Sequence, residues 1–213
     1  TNRSVFIVVN FLNIDILKDM YQELDANRET IKETIDELTK RGEKVGLVKV
    51  HLYRPFSVKH LMEAIPSSAE RICVLDRTKE MGSTGEPLYL DVVAVVKNAR
   101  PNVQVVGGRY GLSSKDTTPD LINAVYCNLK SEQPKDHFVI GINDDIDHTS
   151  LEVTETIDVC DPTTTELLFF GLGSDGTVGA CKNTSKIIGD NTDLYSQSYA
   201  AYDSKKSGGS TRL

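Results

Sequence analysis

No stretch of this chain approaches the roughly 20 consecutive apolar residues that span a bilayer, and no secretory leader opens it. Basic residues are in the minority: 24 Lys and Arg face 31 Asp and Glu, a net charge of −7. That balance argues against a general nucleic-acid binder, which needs a basic surface to displace counterions. There is no Cys-x-x-Cys pair. Cys73, Cys127, Cys160 and Cys181 stand far apart, so neither a zinc site nor an iron–sulfur cluster is encoded within this stretch. They read as reduced core residues of an intracellular protein, and a cytoplasmic location is expected. No Gly-x-Ser-x-Gly elbow occurs, and no Cys/His pair has readable spacing, which removes the common nucleophilic hydrolases. No internal repeat stands out.

What is present is an alternation of apolar runs and helical segments. Ser4 to Val9 reads as a buried strand. Ile31, Ile35 and Leu38 fall on one helical face, with Gly42 placed to cap the helix end. The stretch Ile14 to Leu24 reads as a separate helix, with a break at Asp25-Ala26-Asn27. Val45 to Tyr53 is a second strand, and Ser57 can cap a short helix to Ile65. Arg71 to Asp76 is a third strand, Leu88 to Ala99 a helix and Val103 to Val106 a strand. Thr118-Pro119 starts a helix to about Leu129, and His137 to Ile142 is a final strand. Apolar strands alternating with helices predict an α/β fold, a mostly parallel twisted sheet with helices on both faces. The expected division is an α/β domain over 1–152, a linker over 153–165, and the incomplete β-α-β start of a second, Rossmann-like domain over 166–213. The chain opens on Thr1 and stops at Leu213, soon after a second apolar run at Tyr199 to Tyr202, so it reads as a piece of a larger protein.

The most informative stretch is Gly171-Leu172-Gly173-Ser174-Asp175-Gly176-Thr177-Val178-Gly179, between the apolar run Leu167 to Phe170 and a helix-compatible segment. Strand, glycine turn and helix start form the layout that offers backbone N–H groups to a phosphate. Gly173 and Gly176 would let the backbone approach a pyrophosphate, and Ser174 and Thr177 would donate hydroxyl hydrogen bonds. Asp175 is awkward beside a phosphate and suits a helix cap. A tight connection without a ligand is the plain structural alternative. Asp203 stands nearly where a dinucleotide site places its ribose-binding carboxylate. Lys205 and Lys206 follow at once and suit an extra ribose phosphate, which coenzyme A has and NAD lacks; they equally suit a solvated loop.

Several stretches together resemble the pyruvate:ferredoxin (flavodoxin) oxidoreductases. They are Gly42 to Phe56, Leu75 to Glu80, Gly85 to Tyr89, Gly107 to Lys115 and Gly141 to Asp145, then Gly171 to Ala180 and Tyr202 to Gly209. The resemblance implies a second domain like the C-terminal domain of transketolases, followed by the opening of the coenzyme A-associated third domain. It implies a multidomain, dimeric enzyme of the cytoplasm or of an anaerobic organelle such as a hydrogenosome. That enzyme uses thiamine diphosphate, [4Fe–4S] clusters and coenzyme A to turn pyruvate into acetyl-CoA and CO2, reducing ferredoxin or flavodoxin. The thiamine and cluster domains have no counterpart in this sequence. The implied contribution of the present stretch is scaffold plus part of the coenzyme A site: Gly173, Ser174, Asp175, Gly176, Thr177, Val178, Lys205 and Lys206. No catalytic residue and no metal ligand is expected here. Where the family has a short glycine turn after the first strand, this sequence has Asn10 to Leu24. A stand-alone nucleotide-binding protein and a non-enzymatic scaffold remnant are the alternatives.

Other polar residues carry weaker expectations. Asp144, Asp145, Asp147 and His148 form a polar turn or interdomain contact in preference to a metal site. Arg54, Arg77 and Lys79 lie at strand ends, where α/β sheets bind ligands, and structural ion pairs are the plainer reading. Lys182 is placed to reach a phosphate or to lie in solvent. His51, His60 and His137 have no paired nucleophile.

Overall fold

A computed structural model describes residues 4–10 and 18–200. It divides into two compact units, Thr1–Val159 and Cys160–Leu213.

The first unit is built on a five-stranded sheet. Its elements run β1 (Ser4–Asn10), α1 (Lys18–Lys40), β2 (Val45–Val50), α2 (Val58–Ala64), β3 (Ala69–Asp76), α3 (Pro87–Ala99), β4 (Gln104–Arg109), α4 (Pro119–Lys130) and β5 (Phe138–Val139). The strands lie in the order β2-β1-β3-β4-β5, and every pairing is parallel. The order reverses between β1 and β3, the topological switch point of a doubly wound sheet.

Side-chain alternation explains the two layers. Ile7, Cys73, Leu75 and Val106 point to one face and join Ile31, Ile35 and Leu38 of α1 and Ile122, Val125 and Leu129 of α4. Their sequence neighbours Val8, Ile72, Val74 and Val105 point to the other, against Leu61 of α2 and Leu88, Val92 and Val96 of α3. Successive strand residues face opposite sides, so strands covered on both faces must be apolar throughout.

The helix ends follow local chemistry. Gly42 has φ +85°, its N–H donates to the Thr39 carbonyl, and the Glu43 N–H donates to the Leu38 carbonyl. This double closure at a left-handed residue satisfies carbonyls that the last helical turn leaves open. Ser57 caps α2 by accepting the His60 N–H. Pro87 and Pro119 occupy first-turn positions, where a missing N–H costs nothing.

Three details depart from the sequence expectation. Helix α1 runs unbroken through Asp25-Ala26-Asn27. That triplet has neither Gly nor Pro, and each of its residues costs a helix no more than about 0.7 kcal/mol. Strand β5 is two residues long, because His137 at φ +52° and Gly141 at φ +77° turn the backbone out of the ladder at both ends. In the second unit, Leu167 to Phe170 form no ladder with any described residue. A lone strand has no neighbour for its backbone groups. Residues 11–17 and 201–213, including Ile14 and the run Ala201-Tyr202, lie outside the described residues.

The segment after β5 packs onto the first unit. Ile157 is buried in the α1/α4 layer, and its N–H donates to Asp120 at 2.7 Å. The second unit contains α5 (Thr177–Asn191), with no buried residue on it. Ser196 folds back along it, its hydroxyl donating to the Ser185 carbonyl at 2.6 Å. Among the described residues no helix is long and apolar enough to cross a membrane.

Candidate functional site

Two places concentrate polar chemistry, one in each unit. In the second, the glycine run forms a tight turn leading directly into α5. Gly173 (φ +88°), Ser174 (φ +54°) and Gly176 (φ +84°) all adopt left-handed backbone. Gly176 is the residue from which the helix departs, and its carbonyl accepts the first helical bond, from the Ala180 N–H at 2.9 Å. The N–H groups of Thr177, Val178 and Gly179 therefore precede the helical ladder and face outward from the positive end of the helix dipole.

Asp175 uses part of this array. Its Oδ1 accepts the Thr177 N–H at 3.0 Å and its Oδ2 accepts the Leu172 N–H at 3.0 Å. The Thr177 hydroxyl beside the carboxyl, with these two main-chain donors, holds its pKa below the ordinary carboxylate value. A Cβ on Gly171 would lie 2.4 Å from the Thr177 hydroxyl oxygen and 2.8 Å from Oδ2 of Asp175, so the loop closes on itself where only hydrogen fits. The donors converge as an anion site requires, and the anion between two of them is the protein's own carboxylate. The structure thus brings Gly173, Ser174, Asp175, Gly176, Thr177 and Val178 together in one turn. Lys205, Lys206 and Asp203 lie outside the described residues. Lys182 is exposed on the second turn of α5.

In the first unit, the carboxyl ends of β3 and β4 and the residues just before β5 carry a network that the sequence pattern does not single out. Asp76 ends β3 and caps α3 from a distance, its two oxygens accepting the Leu88 N–H at 3.1 Å and the Tyr89 N–H at 3.0 Å. Burial pushes its carboxyl up to about 6, against the pull of those two donors. Glu86 precedes α3 and is almost wholly buried. One oxygen accepts from Arg109 Nε at 2.6 Å, while the other has no hydrogen-bond partner among the described residues. His137 Nδ1 lies 3.9 Å from that second oxygen, and its ring packs edge-on against Tyr89 with centroids 5.0 Å apart. Asp136 accepts from the Gly107 N–H, the His137 N–H and the Tyr89 hydroxyl. The signal for this network lies in Gly85-Glu86-Pro87 and Gly107-Gly108-Arg109. The Arg109–Glu86 ion pair joins the two stretches, and β3–β4 pairing sets Arg109 beside Asp76.

The remaining polar candidates have structural partners. Arg54 pairs with Asp91 at 2.8 Å and stacks on the Tyr53 ring at 3.9 Å. Arg77 Nε donates to the Gly111 carbonyl at 3.2 Å. His60 Nδ1 shares a 2.7 Å contact with the Ser57 hydroxyl. Asp144 accepts from the N–H groups of Ile146, Asp147 and Thr149 and from the Thr149 hydroxyl, which hold its pKa far below the usual range. The acidic loop is thus a self-bonded turn, and no cluster of three potential metal ligands occurs among the described residues. An open cleft of about 500 Å³ lies at the opposite, amino edge of the sheet. Its Arg71 donates to the carbonyls of Leu129 and Ser131, and its Arg100 to those of Ile65 and Pro66.

A parallel, doubly wound sheet followed by a glycine turn at a helix start defines an α/β protein with a candidate phosphate site in its second unit. Residues 24–122 match the pyruvate:ferredoxin oxidoreductase core domain II, beginning where the atypical stretch Asn10 to Leu24 ends. Pyruvate:ferredoxin oxidoreductase of Moorella thermoacetica is 57% identical over 188 residues, which cover 88% of this chain and 16% of that protein. Pyruvate-flavodoxin oxidoreductase of Enterobacter agglomerans is 56% identical over 184 residues, 86% of this chain and 16% of the relative. The mitochondrial pyruvate dehydrogenase [NADP(+)] of Euglena gracilis is 50% identical over 185 residues, 85% of this chain and 10% of the relative. The chain belongs to the pyruvate:ferredoxin/flavodoxin oxidoreductase family, a family of enzymes, and spans about 16% of the length of the first two relatives.

Proposed function

We propose that this chain is the part of a 2-oxoacid:ferredoxin or flavodoxin oxidoreductase that joins a transketolase C-terminal-like scaffold domain to the start of the coenzyme A-associated domain. The complete enzyme oxidatively decarboxylates pyruvate with coenzyme A to acetyl-CoA and CO2, and passes the electrons to ferredoxin or flavodoxin. Thiamine diphosphate and [4Fe–4S] clusters belong to its other domains, and the full-length protein is a homodimer of the cytoplasm or an anaerobic organelle. Identity of 57% to a relative named for this reaction carries the reading. Two layers of buried aliphatic side chains around the sheet fit a scaffold role for the first unit.

The second unit supplies the phosphate end of the coenzyme A site. The turn at Gly173 to Val178 offers main-chain donors at a helix start, which suits a diphosphate once Asp175 yields them. Coenzyme A supplies the thiol on which the acyl group leaves. Lys205 and Lys206 are the cations proposed for the ribose 3′-phosphate. Isothermal titration of the full chain with coenzyme A, dephospho-coenzyme A and NAD tests this. Coenzyme A should bind most tightly, and removing the 3′-phosphate should weaken binding about threefold or more for each lysine that pairs with it. Preferential binding of NAD would replace this reading with a dinucleotide site using Asp203. The chain alone should not oxidise pyruvate in a coenzyme A-dependent assay, and turnover would contradict the assignment of the chemistry to other domains.

A further inference from the structure

We propose that Glu86 and Asp136 form a docking point for an arginine side chain presented by another protein surface, with the His137 ring as its present cover. Such a contact rests on the scaffold reading of the first unit and names the chemistry of one surface that unit meets. The starting observation is an unsatisfied group. Glu86 is 2% exposed, and Arg109 Nε serves only its Oε1, at 2.6 Å. Its Oε2 has no hydrogen-bond partner among the described residues. A buried carboxylate oxygen without a donor is destabilising, so folded proteins keep few of them. His137 lies beside this oxygen and does not supply the bond. Its Nδ1 stops 3.9 Å from Oε2 of Glu86 and its Nε2 3.8 Å from Oδ2 of Asp136, both beyond hydrogen-bond range.

The His137 ring therefore stands between two carboxylates and is hydrogen-bonded to neither. Among the described residues it is held by the edge-on contact with Tyr89, and its side chain is 38% exposed, so it can turn outward into water. Turning it out opens a path to Oε2 of Glu86 and leaves Oδ2 of Asp136 at the mouth. Negative charge is in excess around that path. The Tyr89 hydroxyl is pushed up to about 12, by burial first and then by Asp136 and Glu86. Arg109 is the one permanent cation that pairs with Asp76, Glu86 or Asp136 among the described residues. An arginine suits the opening. Its long apolar stem carries the charge down to a buried acceptor while its backbone stays at the surface. Its planar fork of five N–H donors can serve Glu86 and Asp136 together, and it takes the slot now filled by the planar imidazole; an ammonium is a point charge without that fork.

The test uses the full 213-residue chain. The probes are end-blocked Gly-Arg-Gly, Gly-Lys-Gly and Gly-citrulline-Gly peptides, with ethylguanidinium as the free counterpart. The His137 ring protons and the amides of Glu86, Tyr89 and Gly107 are followed by chemical shift. The arginine peptide should move these resonances saturably and bind about threefold or more tighter than the lysine peptide. The citrulline peptide, which keeps donors without the charge, should leave them still. Glu86→Gln should weaken binding of the arginine peptide about tenfold. His137→Gly removes the cover at a position whose φ of +52° glycine accepts, and should strengthen binding about two- to threefold. The far-UV spectrum establishes that each variant is folded; if Glu86→Gln is not, His137→Gly and the citrulline peptide decide. Silent resonances in folded native chain and folded His137→Gly overturn the docking point and leave the scaffold reading standing. Equal binding of the lysine or citrulline peptide overturns the assignment to arginine. Binding of ethylguanidinium without binding of the arginine peptide overturns the assignment to a protein surface. A native chain whose first unit is unfolded contradicts the scaffold reading and the docking point together.

Discussion

The two units use the same ingredients, apolar runs followed by helices, with opposite outcomes. In the first, five strands meet edge to edge and both faces are covered, so Ile7, Ile72, Leu75, Leu88 and Phe138 are fully buried. In the second, Leu167 to Phe170 are equally apolar, yet Leu168 is 91% exposed and Phe170 83% exposed. Composition is the same at both sites. The difference is neighbours: a strand is stable when its backbone groups and both side-chain faces have partners. Among its described residues the second unit has turn geometry without a core, which suits the ligand-reading role proposed for it.

The sharpest way to break this contrast is to delete a large side chain in each unit. Phe138→Ala should cost about 3–5 kcal/mol in urea denaturation, because the ring is fully buried and its site is closed by Gly108 and Leu75. The chain has no tryptophan, so far-UV circular dichroism is the readout. A loss under about 1 kcal/mol would mean that the first unit is loosely packed.

The next effect is pH-dependent. Asp76 titrates at about 6 in the folded protein against an ordinary 3.8, chiefly through burial. A carboxyl with a raised pKa binds its proton more tightly folded than unfolded, so its contribution is fully present below about pH 4. It is lost as pH climbs through about 6, by up to about 3 kcal/mol. The stability of the native chain relative to Asp76→Asn should fall over that window. A difference that stays flat between pH 4 and 6 would show that the α3 cap carries no burial penalty.

Gly108→Ala sharpens the packing claim. A Cβ there would sit 2.3 Å from the Phe138 ring, and about 1–3 kcal/mol of overpacking is expected in the same denaturation assay. In the second unit, Ile187→Ala on α5 should move the transition by no more than about 0.5 kcal/mol, since Ile187 is 61% exposed. A loss as large as that of Phe138→Ala would mean that α5 has a core.

The scaffold is legible in the sequence because its signals are local and repeated. The apolar run in Arg71 to Asp76 marks a strand covered on both faces, Gly42 marks the end of α1, and Thr118-Pro119 marks the start of α4. The break expected at Asp25 to Asn27 does not form because polar composition alone does not end a helix. The length of β5 is hidden because nothing in the residue type His137 announces a left-handed backbone. The glycine turn is visible through its strand–turn–helix context, and a carboxylate at Asp175 is conspicuous beside a phosphate. Which donors it takes depends on loop geometry that no spacing rule encodes. The network of Asp76, Glu86, Arg109 and His137 escapes a linear reading because its members are brought together by strand pairing and a side-chain ion pair across 61 positions of sequence, from 76 to 137.

The central claim is a division of labour, scaffold in the first unit and ligand reading in the second. Its most direct test is an amide chemical-shift titration of the full chain with coenzyme A. Shifts should appear in residues 171–182 while Asp76, Glu86, Arg109 and His137 stay still; movement at that sheet edge with a silent glycine turn would contradict the account.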